Sequence, residues 1–217
     1  MSLGNILYNL VKIILLLTLP FIVLIKGAVW LHNTYEWQPY PAIIGGVLGT
    51  ALIVAFYFYF IHGYLSGRLS GLETFKRSIW ISVFLVGIYA VNGLLFISAS
   101  NTKTKAVQQE FLSLHPILRL SVSTIVFLDS DLIITDAKRI PEDYKKMGLP
   151  SKRRSLHYKQ KSGFVHAMDI RVNNRSELRN NLLKWYFQAM GFNVLRHGGT
   201  GDHLHISISS HDLPGAI

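Results

Sequence analysis

The sequence predicts an α+β protein in two parts: three N-terminal transmembrane helices, followed by a small α+β domain with an antiparallel sheet. Three observations carry this prediction. Apolar runs at Ile13–Leu31, Pro41–Ile61 and Ile79–Ser98 each match the roughly 20 residues that a helix needs to cross a bilayer. Charge divides unevenly: residues 1–99 hold five basic and two acidic groups, whereas the remaining 118 hold seventeen and ten, with seven of the nine histidines. The second part alternates short β-branched runs with amphipathic helical ones, punctuated by Gly and Pro, as sheet and helix in one small core require.

Half of the 217 residues are hydrophobic and 16% are charged, against roughly 25% charged in an average soluble domain. Large aliphatic and aromatic side chains abound in both parts, which excludes an intrinsically disordered chain. The absence of cysteine excludes a disulfide scaffold, a Cys-based zinc finger and a thiol enzyme. The formal net charge of +10 suits a polyanionic partner. Beside a membrane, anionic headgroups or wall polymers fit that charge better than nucleic acid, and no nucleic-acid partner is expected.

The first span contains Leu15-Leu16-Leu17 and Phe21-Ile22-Val23, with Lys26 near its far end, where it can snorkel. No small-x-small cleavage site closes it and two further spans come after it, so it reads as an anchor rather than a signal peptide. The second span carries no charge, and the third is similarly clean. The loop His32–Tyr40 has no Lys or Arg, while Ser66–Ser78 holds Arg68, Lys76 and Arg77. Short-loop positive charge therefore places the second loop and the N-terminus in the cytoplasm and everything after Ser98 outside. Trp30, Tyr35, Trp37 and Tyr40 surround the outer loop as interfacial aromatics do. Gly45 and Gly49 are spaced for close helix approach, or are ordinary transmembrane glycines. No span carries an acidic residue in its middle, so an ion pathway has no obvious carrier and residues 1–99 read as a membrane anchor.

Residues 100–111 are polar and read as a stalk. The domain, residues 112–217, opens with a helix over Leu112–Phe127, interrupted early by Pro116, and a short strand over Asp131–Thr135. Pro141–Met147 reads as a short charged helix with Pro at its start, followed by the basic loop Lys152-Arg153-Arg154. Val165–Val172 alternates as a strand. Ser176–Met190 predicts an amphipathic helix with Leu178, Leu182, Leu183, Tyr186 and Met190 on one face, stopped at Gly191. Phe192–Leu195 and Leu204–Ile208 complete the strands around a Gly-rich turn. A stretch of this length suffices for one core.

Metal-competent side chains gather in three places: Ser155 to Tyr158 with His157, Val165 to Ile170 with His166 and Asp169, and Gly201 to Ser207 with Asp202, His203 and His205. Alternation along a strand points His203 and His205 the same way, about 6–7 Å apart. Asp169 lies at a strand end, where a carboxylate can face a cleft. A catalytic zinc takes three N/O ligands and keeps a fourth position open. Two histidines and one carboxylate, with another carboxylate nearby as base, meet that need. Singly, each group has a plainer reading: Asp169 paired with Arg171, Asp202 as a turn residue, Arg139 and Lys152-Arg153-Arg154 as solvated surface. His115, His197 and His211 have no partner legible in the sequence.

Together, Ser155-x-His157, Gly163, Ala167-x-Asp169 and Asp202-x-x-His205 resemble the D-Ala-D-Ala-type zinc metallopeptidases. That group includes peptidoglycan carboxypeptidases, dipeptidases and endopeptidases, phage endolysins and the hedgehog signalling domain. Its pattern is Ser-x-His-x-x-Gly-x-Ala-x-Asp, then Glu/Asp-x-x-His. Upstream, Ile133 to Glu142 resembles the family's strand followed by Arg-Thr-Pro-Glu. The resemblance spans roughly Leu114 to Ser209 and leaves the membrane spans without a counterpart. It implies zinc held by His157, Asp169 and His205, with Asp202 as the general base that later protonates the leaving amine. It further implies His203 as a catalytic aid to substrate or oxyanion. Arg139 would bind a substrate carboxylate or developing negative charge, and Ser155 would support the site by hydrogen bonding.

The family's pattern separates its first His from its Asp by seven positions, whereas His157 and Asp169 are twelve apart. The surplus falls in the polar stretch Lys159 to Phe164 and reads as a lengthened loop, which costs only about 0.6 kcal/mol per doubling of length. His166 is the alternative ligand to His157. Positions 166 and 169 face opposite sides of a strand, which favours His157.

The expected function is a membrane-anchored zinc peptidase, a D,D- or L,D-type carboxypeptidase or endopeptidase acting on peptidoglycan stem peptides. It would sit in the bacterial cytoplasmic membrane with its domain in the periplasm or otherwise outside. The alternative is a non-catalytic, zinc-containing wall-binding or signalling module on the same fold. The insertion favours the module, and the retained Asp202 favours the enzyme. A pore formed by the three spans is a third reading, against which their lack of intramembrane charge counts.

Overall fold

Three long helices take up the apolar runs: α1 (Leu3–Tyr35), α2 (Pro39–Ser66) and α3 (Leu72–Leu95). Each is long and apolar enough to cross a membrane, and a helix is the form in which a single apolar segment pairs all its backbone polar groups internally. The computed structural model describes residues 3–67, 71–146, 148, 150, 153–199 and 201–216. Arg68 of the basic loop, Met147 at the expected end of the charged helix, Lys152 of the basic run and Thr200 of the Gly-rich turn lie outside the described residues. Pro39 occupies the first turn of α2, where its missing N–H is tolerated, and Gly67 closes that helix in the left-handed conformation.

Large apolar side chains such as Leu7, Leu17, Phe56, Trp80 and Phe84 point outward, a surface suited to lipid rather than water. Small residues line the contacts between helices: Ala42, Gly46, Thr50, Ala51 and Ala55 on α2, and Ser78, Ser82 and Ala90 on α3 are buried. Gly45 and Gly49 both face α1, as their spacing allows, and Gly46 between them meets its backbone. A Cβ on Gly46 would stand 2.4 Å from the carbonyl oxygen of Leu24, whereas Gly45 and Gly49 face the side chains of Leu31 and Val23.

The expected stalk is packed against the domain instead. It forms a 3₁₀ turn and the short helix α4 (Lys105–Glu110). The buried Asn101 amide donates to the carbonyls of Ser130 and Leu132 at 2.7 and 2.9 Å. Pro116 likewise begins a helix rather than interrupting one, because a proline's missing N–H is tolerated only in the first turn. That helix, α5 (Pro116–Val126), is buried from Pro116 to Ile125 and lies against the ends of all three long helices. Arg119 donates to the Leu94 carbonyl at 2.7 Å, Ser123 to the Gly93 carbonyl at 3.0 Å, and the Tyr89 hydroxyl to Thr124 at 2.7 Å.

The remaining elements are β1 (Ile134–Asp136), α6 (Pro141–Lys146), β2 (Ala167–Arg171), α7 (Glu177–Met190), β3 (Asn193–His197) and β4 (His203–Ser207). They form an antiparallel four-stranded sheet in the order β1-β2-β4-β3. Met168, Ile170, Leu204 and Ile206 of the sheet share one continuous core with Ile117 and Leu120 of α5, Leu183 and Phe187 of α7, and Leu24, Ile25, Ala28 and Val29 of α1. The buried face of α7 is Asn180, Leu183, Phe187 and Met190. Leu178 and Leu182, expected on that face, are exposed. With Trp185 also exposed, α7 has apolar residues on more than one side, and docking on the sheet selects among them.

Candidate metal centre

Directly opposed residues of an antiparallel pair share a face. The β2–β4 register sets Asp169 opposite His205 and Arg171 opposite His203, so alternation turns these four away from the core that Met168, Ile170, Leu204 and Ile206 enter. His157 reaches the same place from the chain before β2. The twelve-residue separation closes because the surplus folds back on itself: Gln160 N–H donates to the Phe164 carbonyl, Gly163 N–H to the Gln160 carbonyl and His166 N–H to the Leu156 carbonyl, each at 2.9 Å. Gly163 turns this loop at a φ of +84°, a left-handed conformation that glycine adopts without steric cost.

Three donor atoms converge. His205 Nδ1 lies 2.9 Å and His157 Nε2 3.3 Å from Asp169 Oδ1, and the two ring nitrogens are 3.1 Å apart. Ligands at the corners of a tetrahedron around a zinc-sized ion stand about 3.3 Å from one another, so the spacing fits. All three residues are buried, and together they could hold a metal ion. His157 Nδ1 sits 2.7 Å from the Ala137 carbonyl. A proton on that nitrogen leaves Nε2 as a lone pair aimed at the site, the usual way a ligating imidazole is oriented. His205 Nε2 is buried without a hydrogen-bond partner.

Asp169 divides its oxygens. Oδ1 faces the histidines, and Oδ2 is held by the guanidinium of Arg139. Burial pushes this carboxyl up, but hydrogen bonding with the His157 and His205 rings and the charge of Arg139 outweigh it and hold the group well below the usual carboxylate range. Arg139 was expected to meet substrate. Its guanidinium bonds Asp136 at 2.8 Å as well as Asp169, lies 5.5 Å from the Tyr144 ring centre and lines the cleft, so it positions Asp169 at the cleft wall. Ser155 accepts the His157 N–H at 3.2 Å and bonds the Tyr144 hydroxyl at 2.6 Å, a supporting role. Tyr144 and Asp136 escaped the sequence reading, since nothing in a short charged helix or a strand end announces what its side chain will touch.

A cleft of about 440 Å³ opens beside Asp169, lined by Lys103, Arg139, Arg171, Asp202 and His203 among others. Asp202 is gripped by Arg196 at 2.6 to 3.2 Å, and the same guanidinium binds Glu177 at 2.7 and 2.8 Å. Hydrogen bonding to Arg196 holds the Asp202 carboxyl below its ordinary value. His203 rests its Nδ1 2.6 Å from the Gly201 carbonyl and brings Nε2 within 3.7 Å of Asp169 Oδ2.

The geometry thus unites His157, Asp169 and His205, with Asp202 and His203 at the cleft and Arg139 and Ser155 behind the ligands. It does not bring in His166, which turns towards His32 and His115. No protein-family model, curated protein or solved structure matches this chain, so its chemistry rests on this geometry.

Proposed function

We propose that this chain is a membrane-anchored zinc metallopeptidase that hydrolyses peptide bonds in peptidoglycan stem peptides, as a carboxypeptidase or endopeptidase. The observation that carries the reading is the convergence of His157, Asp169 and His205 at a cleft that also holds Asp202. The choice of substrate rests on the resemblance of the sequence blocks to the D,D-peptidases. Zinc, when bound, supplies a Lewis acid that polarises the scissile carbonyl and acidifies water. The other tasks fall to side chains. Asp202, kept ionised by Arg196, takes a proton from water in the cleft and returns it to the leaving amine. His203 lies where it can donate to the developing oxyanion. Lys103 and Arg171 offer positive charge to a substrate carboxylate in the same cleft.

The location that fits is a bacterial cytoplasmic membrane with the N-terminus inside. Lys76 and Arg77 lie in the first turns of α3, and the ends of α1 and α3 that meet the domain carry no such pair. A reporter fused after the domain is expected to be active only outside the cytoplasm.

One observation favours a second reading, a zinc-containing wall-binding module without activity: Arg196 already engages both oxygens of Asp202. The full-length protein in detergent, loaded with zinc and incubated with purified peptidoglycan, separates the two. The peptidase yields new muropeptides, and Asp202→Asn slows their release by about 10²–10⁴-fold with zinc content unchanged. Zinc bound without any change in muropeptides supports the module and overturns the enzyme.

A further inference from the structure

A second histidine cluster lies where the long helices meet the domain. His32 comes from the last turn of α1, His115 from the cap before α5, and His166 from the residue before β2. All three are buried, and one ring nitrogen of each lies within 4.8 Å of the others. Ring centres of His115 stand 4.7 Å from those of both His32 and His166. Both nitrogens of the fully buried His115 have no hydrogen-bond partner, which native interiors rarely tolerate.

The partners of the other two rings point the same way. His32 Nδ1 is 2.7 Å from the Trp37 carbonyl and its Nε2 is 3.2 Å from the Ser209 carbonyl. A neutral imidazole donates only one N–H, so with Trp37 accepting it, Nε2 presents a lone pair beside a carbonyl oxygen. His166 faces the same carbonyl: Nδ1 lies 3.1 Å from Ser209 O, and Nε2 lies 3.0 Å from Ser162 Oγ, a hydroxyl that can accept its proton. When Ser162 accepts from His166 Nε2, the Nδ1 lone pair of His166, the Nε2 lone pair of His32 and the Ser209 carbonyl oxygen face one another beside the unpartnered His115, a donor set suited to a cation. Metal-bound histidines are anchored in this way, by a second nitrogen donating outward. A cleft of about 320 Å³, lined by His32, His166, His211, Glu36 and Asp212, reaches the cluster from outside.

We propose that His32, His115 and His166 form a second metal site, for an imidazole-preferring divalent ion such as Zn²⁺, with the Ser209 carbonyl as a further oxygen donor. The ion ties the end of α1 to α5 and to the strand that carries Asp169. This proposal does not depend on the peptidase reading.

The test uses full-length protein in detergent, stripped with chelator and dialysed against Zn²⁺. Two equivalents are expected for the unaltered chain. The doubly altered Asp169→Asn, His205→Ala protein leaves this cluster intact and is expected to keep one, with its unfolding midpoint raised by zinc. His166→Gln, folded by circular dichroism and size exclusion, is expected to fall from two equivalents to one. Two equivalents retained by His166→Gln, or no zinc on the folded double variant, overturns the site. A single equivalent in the unaltered chain that His166→Gln removes and His157→Ala does not supports this site and defeats the first.

Discussion

For a histidine, which nitrogen is free matters more than position along the chain. His157 and His166 are both near Asp169 in sequence, yet the Ala137 carbonyl fixes the ring of His157 so that Nε2 meets Asp169, while His166 bonds Ser162 on the far side. His157→Ala is therefore expected to lose the metal equivalent proposed for this site, whereas His203→Ala keeps it, as metal analysis of the purified proteins would read. Asp202 offers a second residue-level test. Because Arg196 lowers its pKa, Arg196→Gln lets the carboxyl rise towards its ordinary value. If the proposed peptidase reading holds, the acid limb of the pH–rate profile then moves to higher pH. An unmoved limb means that Asp202 is not the titrating group. Strand alternation made the shared face of His203 and His205 legible in the sequence, but Tyr144 and Arg196 were not, because hydrogen bonds between distant side chains leave no local pattern.

At the scale of elements, helix pairing turns on how closely backbones approach. A methyl group at Gly46 would collide with the Leu24 carbonyl, while one at Gly87 meets nothing within 4 Å. Gly46→Val should lower the unfolding midpoint in detergent, by a destabilisation of about 1–3 kcal/mol. Gly87→Ala should be neutral or stabilising by up to about 1 kcal/mol, as expected for glycine replaced within a helix. The spacing of Gly45 and Gly49 signalled a close approach without naming Gly46, since the rotation of α2 about its axis is set by α1 and not by the sequence of α2. The same physics explains α7, whose several apolar sides left its buried face to be chosen by the sheet. It also explains the loop of residues 159–164, where three short-range hydrogen bonds absorb the extra residues.

At the scale of the whole molecule, bundle and domain share one core. The fragment 100–217 would expose α5, buried from Pro116 to Ile125 in the intact chain. It is expected to aggregate in the absence of detergent, which analytical ultracentrifugation would show; a soluble, folded monomer would contradict the shared core. Acid sensitivity also belongs to this scale, because His166 is buried by both parts. Its pKa falls from 6.5 to about 4, chiefly through burial, so between those values the unfolded chain binds the extra proton. Stability of the metal-free protein is then lost as pH falls from about 6.5 towards 4, by up to about 1.4 kcal/mol per pH unit for this group. His115 acts in the same sense. The unfolding midpoint should drop between pH 7 and pH 5, and by less in His166→Gln.

The sequence by itself determined the three spans, the α+β character of the domain after them and its antiparallel sheet, because hydrophobic period and length are local properties of the chain. It also pointed to Asp169, His203 and His205, whose faces follow from strand alternation. Only the tertiary structure decided that the expected stalk is packed, that Arg139 holds Asp169, and that His32 and His115 meet His166. Those contacts join residues up to 134 positions apart, and distances of that kind are set by how elements dock, through side-chain packing that no local pattern encodes.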